Sequence, residues 1–319
     1  MRIPYNPPLA RTSVEELLAA AARRAAEAEP GSEHDWRRDH LGASVIGHRC
    51  DRFLWFVFRW VAADALTGRM VRLLDRGHRE EDRIIDSLAS AGFEITDRQS
   101  VVSWGGHFGG HTDGVIRGLL EAPLTPHLLE VKTSNRKNFE RLQEKGVRAA
   151  KPEHYAQMQV YMRGMALERA FYIVENKDDD DVYGDRIALD REFADRMIAR
   201  GVRITTATNE APDRAPYREH PPCCYTSKDG TRWPCRFFEH CHGKAMPERN
   251  CRTCVAAKPV ADGAWHCMHH DRPIDRIAQR IGCLNHATIP SMVNAQVARI
   301  SDETGRAVYQ FADGERVEA

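Results

Sequence analysis

Residues 109–135 read GGHTDGVIRGLLEAPLTPHLLEVKTSN. Two apolar runs flank a link that carries Pro123 and Pro126. Val115-Ile116 follows Asp113, and His127-Leu128-Leu129 leads into Glu130-Val131-Lys132. Side chains alternate faces along a strand, so Glu130 and Lys132 project to one side and Val131 to the other. If the two runs pair, Asp113 meets Glu130 across the ladder. Two carboxylates and one ammonium then converge on one spot. Such oxygen ligands suit Mg2+, and the set suits cation-assisted attack of water on a phosphodiester. An Asp…Glu-x-Lys pattern alone arises by chance in many chains, so its flanks decide how it is read.

The chain has 319 residues, 42% of them hydrophobic, enough for one substantial core and a smaller accessory domain. Lys+Arg and Asp+Glu are both 46, so DNA-binding cations, if present, have to be clustered. No run of eighteen apolar residues is present, and Met1 to Pro8 lacks a charged-then-apolar leader. The expectation is a cytoplasmic protein without a membrane span. Nine cysteines in such a chain point to metal or cluster ligation before disulfides. Eight of the nine lie between Cys223 and Cys283, and Cys50 stands alone.

Outward from the opening stretch, the pattern predicts a helix over 12–28, with Ser13 and Glu16 as a capping box. Ser44 is expected to cap a second helix whose aromatic face is Phe53, Trp55, Phe56, Phe58 and Trp60. Residues 67–91 have helical periodicity through Leu73, Leu74, His78, Ile84, Ile85 and Leu88. Phe93–Val102 reads as the first strand, and residues 104–110 as a glycine-rich turn. After Lys132 the chain turns basic. Arg136, Lys137 and Arg141 are either a solvated face or a track for phosphates. Residues 153–167 form a helix with Gln157 and Tyr161 four apart on one face. Phe171–Val174 is the expected last core strand, and 190–205 a closing helix. The acidic run 178–181 reads as a solvated turn.

Asp113, Glu130 and Lys132 resemble the signature of the PD-(D/E)XK nuclease superfamily. Gly77-His78-x2-Glu81 resembles its G-H-x-x-E segment, and Gln157-x3-Tyr161 the QxxxY element of its RecB-like members. Cys50, ahead of a late group, resembles the cluster-bearing RecB-like and phage-type exonucleases. The likeness spans roughly residues 41–245. It implies an α/β core of helix, three-strand meander, helix and strand, with a helical N-terminal segment and a cysteine-rich C-terminal extension. It implies that Asp113, Glu130, the Val131 carbonyl and His78 hold Mg2+ or Mn2+. Histidine suits manganese better than magnesium. Lys132 would orient or activate water, and Gln157 and Tyr161 would position Lys132 and the scissile phosphate. Glu81 would either touch the metal or support it.

The same resemblance implies a 4Fe–4S cluster on Cys50, Cys224, Cys235 and Cys241. Cys223 rivals Cys224, because an insertion displaces this partner from its usual place, and zinc is an alternative occupant. Further on, Cys251-x2-Cys254 followed by Cys267 and Cys283 is a zinc-knuckle spacing. His266, His269, His270 or His286 can stand in for a late thiolate. Residues 294–319 read as a terminal β-hairpin. The expected divisions are 1–40, 41–245 (nuclease), 246–290 (zinc module) and 291–319. The resemblance implies a DNA exonuclease of recombination, repair or phage DNA processing. The alternatives are a structure-selective or nicking endonuclease on the same core, and a DNA-binding protein without catalysis. No GxxxxGK[ST] motif occurs, so a helicase or single-strand annealing partner would be a separate chain.

Overall fold

The computed structural model describes residues 37–62, 68–214, 224–226, 232–304 and 306–319. The expected 12–28 helix and Cys223 lie outside them. The first part of the chain forms β1 (Leu41–Gly42), α1 (Asp51–Phe58), α2 (Gly68–Ser90), β2 (Glu94–Thr96), β3 (Val101–Trp104), β4 (Phe108–His111), β5 (Gly114–Arg117) and β6 (His127–Ser134). Then follow α3 (Arg136–Ala150), α4 (Pro152–Gly164), β7 (Arg169–Asn176), β8 (Val182–Ala188) and α5 (Arg191–Thr206).

A five-stranded sheet, β2-β5-β6-β7-β8, forms the core. β6 and β7 are parallel, joined over one face by α3 and α4, and the other pairs are antiparallel. β6 is covered on both faces, which explains its apolar run. On one face Leu129 and Val131 pack with Ile116, Ile173 and the α2 residues Ile84 and Ile85. On the other, Leu128, Tyr172 and Val174 join the core that includes Phe139, Leu142, Ala156 and Met158 of α3 and α4. Local signals set the helix starts: Asn135 caps α3, Pro152 opens α4, and Asp190 caps α5 through the Phe193 amide.

Several expectations are corrected. The helix after residue 41 does not start at Ser44. Residues 43–45 make a 3-10 turn, and α1 begins after Cys50, whose sulfur accepts the Phe53 amide at 3.4 Å. The expected strand 93–102 is two strands in different sheets, because Asp97 and Gln99 between them are left-handed. β2 joins the central sheet, and β3 joins a second one of order β1-β4-β3. Residues 171–174 lie in a strand that is not the last. Asp178–Asp181 turns into β8, which pairs along the whole of β7.

The later part contributes β9 (Cys224–Thr226), β10 (Arg232–Pro234), α6 (Phe238–His242), β11 (Ala257–Pro259), β12 (Trp265–Cys267), β13 (Arg272–Pro273) and α7 (Arg276–Ile281). The C-terminus is a three-stranded meander, not a hairpin: β14 (Gln296–Ile300), β15 (Ala307–Gln310) and β16 (Arg316–Glu318). Residues 246–290 do not stand apart from the core. Cys254, Ala257, Trp265, Ile274 and Ile289 belong to the same apolar cluster as Leu41, Trp55 and Phe58.

Two buried arginines tie this extension down. Arg59 donates to the carbonyls of Arg252 (3.1 Å), Ala207 (2.8 Å) and Thr208. Arg252 donates to the carbonyls of Phe58 and Asp39 (3.0 Å each) and to Gln279 Oε1 (2.8 Å). Its guanidinium lies 3.6 Å from the Trp60 ring centre and 4.8 Å from that of Trp265. Burial pulls both guanidiniums down to about 9, which leaves them charged at neutral pH. Arg252→Lys keeps the charge but loses the planar fork and the stacking. Thermal unfolding of this variant should show a loss on the order of 3 kcal/mol, close to that of Arg252→Ala. Wild-type stability in Arg252→Lys would mean that charge alone holds the contact.

Candidate active site

The register of β5 and β6 pairs Gly114 with Leu129, so Asp113 stands opposite Glu130 one step further along. Asp113 Oδ2 accepts the Val131 amide at 2.8 Å, which aims its carboxylate at β6. Lys132 Nζ lies 2.5 Å from Glu130 Oε1 and 3.6 Å from Asp113 Oδ2, and it donates to the Val131 carbonyl at 2.9 Å. The expected convergence of Asp113, Glu130 and Lys132 is thus present.

Glu130 is fully buried, and neither of its oxygens accepts a well-directed hydrogen bond. The close Lys132 contact is an ion pair without hydrogen-bond geometry. Burial pushes the Glu130 carboxyl well above its usual range. Lys132 opposes that shift, and Asp113 adds to it. For Lys132, burial works against the charge, but Glu130 and Asp113 outweigh it and hold the amine above its ordinary pKa.

Asp113 and Lys132 open onto a cleft of about 840 Å3, with Glu130 buried behind them. His78 and Glu81 line it from α2, and Gln157 and Tyr161 line it from α4. Burial raises Glu81 to about 7, with Asp113 adding to the shift and Lys132 opposing it. Tyr161 is buried, and the burial, together with Glu130, holds its hydroxyl above the ordinary range. Two carboxylates and a main-chain carbonyl are a donor set that magnesium takes with water completing the shell. His78 shares the cleft, but among the described residues no three His, Cys, Asp or Glu side chains converge as a ready-made metal cage.

Part of the wall was not foreseen. Arg38 and His40, just before β1, line the cleft, and so does Arg276 at the start of α7. No local pattern marks these residues, because only tertiary packing brings them there. Gly106 is a second case. Its φ is +75°, and a Cβ on it would fall 2.1 Å from the Gly263 nitrogen. Beside it, His107 Nε2 lies 2.8 Å from the Val260 carbonyl oxygen. The β3–β4 hairpin is therefore backed by the extension.

The cysteines fall into two neighbourhoods. Burial pushes the Cys241 thiol up to about 11, the adjacent Arg52 opposes that, and Cys50 and Cys235 reinforce it. These three sulfurs are close enough to feel one another across nearly two hundred residues. Cys224 lies in β9, two strand positions before Thr226. Around Cys251, burial pushes the thiol up to about 12, and Cys254, Cys283 and Cys267 add to it. Cys251 and Cys254 flank one 3-10 turn, Cys267 pairs with Ala257 on the hairpin, and α7 leads to Cys283. Among the described residues, neither neighbourhood brings three side chains around one point. Of the expected DNA contacts, Lys137 and Arg141 are exposed, while Arg136 is paired with Asp179 at 2.9 Å.

Gly110 of β4 permits the Tyr161 position, since a Cβ there would lie 2.3 Å from the Tyr161 hydroxyl. Gly110→Ala should displace that ring and cut turnover at least tenfold, with a change in melting temperature of only a few degrees. Unchanged turnover would show that the placement of Tyr161 against β4 is irrelevant to the site.

No protein-family model matches this sequence, and no curated protein does. Among solved structures, LHK-Exo in complex with dAMP is 17% identical, with a TM-score of 0.40 over 53% of this chain and 87% of that one. An alkaline exonuclease (LHK-Exo) from Laribacter hongkongensis is 18% identical, with a TM-score of 0.37 over 59% and 90%. Likeness at this level does not assign a family.

Proposed function

We propose that this protein is a divalent-metal-dependent deoxyribonuclease, acting as an exonuclease on DNA ends. The observation that carries the reading is the buried, unsatisfied Glu130 carboxylate, opposite Asp113 and against Lys132. The residues fit a hard dication: Glu130, Asp113 and the Val131 carbonyl would hold it, with His78 in support. Such an ion supplies Lewis-acid stabilisation of the phosphate and lowers the pKa of bound water. Lys132 holds the attacking water in line and offsets negative charge that develops on the phosphate. Gln157 and Tyr161 fix the phosphate from the α4 side. Arg38 carries positive charge into the cleft, where backbone phosphates would run, while Arg276 is paired there with Asp39.

The two cysteine neighbourhoods are proposed as further metal sites. Cys50, Cys224, Cys235 and Cys241 would hold a 4Fe–4S cluster, with Arg52 favouring the thiolate form of Cys241. Cys251, Cys254, Cys267 and Cys283 would hold one structural zinc ion. Both would act as clips that hold the late chain against the core.

End-labelled linear DNA should be degraded with Mg2+ or Mn2+ and left intact in EDTA, while covalently closed circles resist. Asp113→Ala and Lys132→Ala should each lose at least a thousandfold in rate while staying folded. Full activity in either variant, or in EDTA, removes the assignment, and nicked circles point to the endonuclease alternative. Separately, anaerobically prepared protein should contain iron that Cys50→Ser loses and about one zinc per chain that Cys254→Ser loses. Stable, active protein free of both metals rules out the two clips.

A further inference from the structure

Lys132 lines a second cavity besides the cleft, a recess of about 330 Å3. It lies where the parallel strands β6 and β7 end, the crevice in which open α/β sheets take ligands. Lys132, Lys151 and Lys177 line it with His154, Asn135 and Asn138, and no Asp or Glu does. All three lysines are half-buried; Lys132 has Glu130 and Asp113 as counter-charges, whereas no carboxylate pairs with Lys151 or Lys177 among the described ion pairs. A half-buried ammonium normally has a counter-charge nearby. Elsewhere on this chain half-buried guanidiniums have one, as in Arg37–Glu248 and Arg200–Asp51.

The recess has a fixed proton inventory. His154 Nδ1 is 2.7 Å from the Tyr172 hydroxyl, and burial pushes the imidazole down to about 3, so it stays neutral. Burial also lowers the Lys151 amine. Glu153 opposes that shift, and Arg141 adds to it. The first amides of α3 are already taken: Asp178 accepts from Arg136 N and the Asn135 side chain accepts from Asn138 N. Positive charge in the recess therefore comes from Lys151 and Lys177, since Lys132 is paired with Glu130 and Asp113.

We propose that this recess binds a backbone phosphate of the same DNA strand that enters the cleft, through Lys151 and Lys177. A strand cut beside Lys132 presents a flanking phosphate to these two cations, with Arg141 on the approach. The proposal rests on the nuclease reading only for the identity of the ligand as DNA. It also gives Arg141 a path to follow, whereas Arg136 is turned toward Asp179.

The test separates binding from cutting. Full-length protein carrying Asp113→Ala is titrated with a fluorescein-labelled oligonucleotide at several salt concentrations, without divalent metal. Adding Lys151→Gln and Lys177→Gln should reduce the slope of log K against log[salt] by about one for each lysine. Lys177→Arg, which keeps the charge, should keep the slope. Inorganic phosphate should compete with the oligonucleotide in the parent and much less in the double variant. An unchanged slope with undiminished phosphate competition in the double variant overturns the site. Cutting is assayed apart, on protein with Asp113 intact. A changed slope without any cutting removes the nuclease reading and leaves the anion site standing. Cutting with an unchanged slope does the reverse.

Discussion

Removing the Glu130 carboxylate from water costs several kcal/mol, and one ammonium offsets only part of that cost. Asp113 stands opposite and adds a like charge. Two carboxylates against one ammonium leave the buried set one negative charge in excess. The strand cannot relieve this by turning outward, because β6 is hydrogen-bonded on both sides and packed on both faces. A dication bound there would resolve the imbalance, and so would a proton on Glu130, whose carboxyl burial holds above its usual range. The site is thus built by placing the charge first and fixing the strand so that the charge cannot escape.

Everything around β6 serves that fixation. α2 closes one face with Ile84 and Ile85, and α3 and α4 close the other. The cleft then needs side walls. One comes from residues ahead of β1, the other from α7, and Asp39 links them by its ion pair with Arg276 at 3.1 Å. The C-terminal extension is thus part of the cleft wall and not an appendage. Arg59 and Arg252 hold it mainly by carbonyl contacts and aromatic stacking, with Asp39 3.9 Å from the Arg252 guanidinium, and burial weakens the screening of these contacts by salt.

Asp113, Glu130 and Lys132 were legible because strand alternation converts sequence spacing directly into geometry. Gln157 and Tyr161 were legible for the same reason in a helix. The division of residues 93–104 into two strands was hidden, since Asp97 and Gln99 adopt left-handed turns that few sequence signals announce. Cys50 read as a residue within a helix, whereas it is the cap. A thiol accepting an amide is too weak a preference to be seen in composition. Arg38, His40 and Arg276 reach the cleft only through packing between distant segments, and no periodicity records that. β8 and β16 were missed because their exposed faces break the apolar pattern.

The contact between Gly106 and Gly263 has an implication for how such a chain can change. Two backbones meet there with no room for a methyl group on either, and both residues have positive φ. Neither position can gain a side chain unless the other loop retreats. The retreat would pull on β4, whose Gly110 sits against Tyr161. The hairpin and the extension therefore form a single hereditary unit. A C-terminal extension exchanged for a foreign one would have to bring its own matching hairpin.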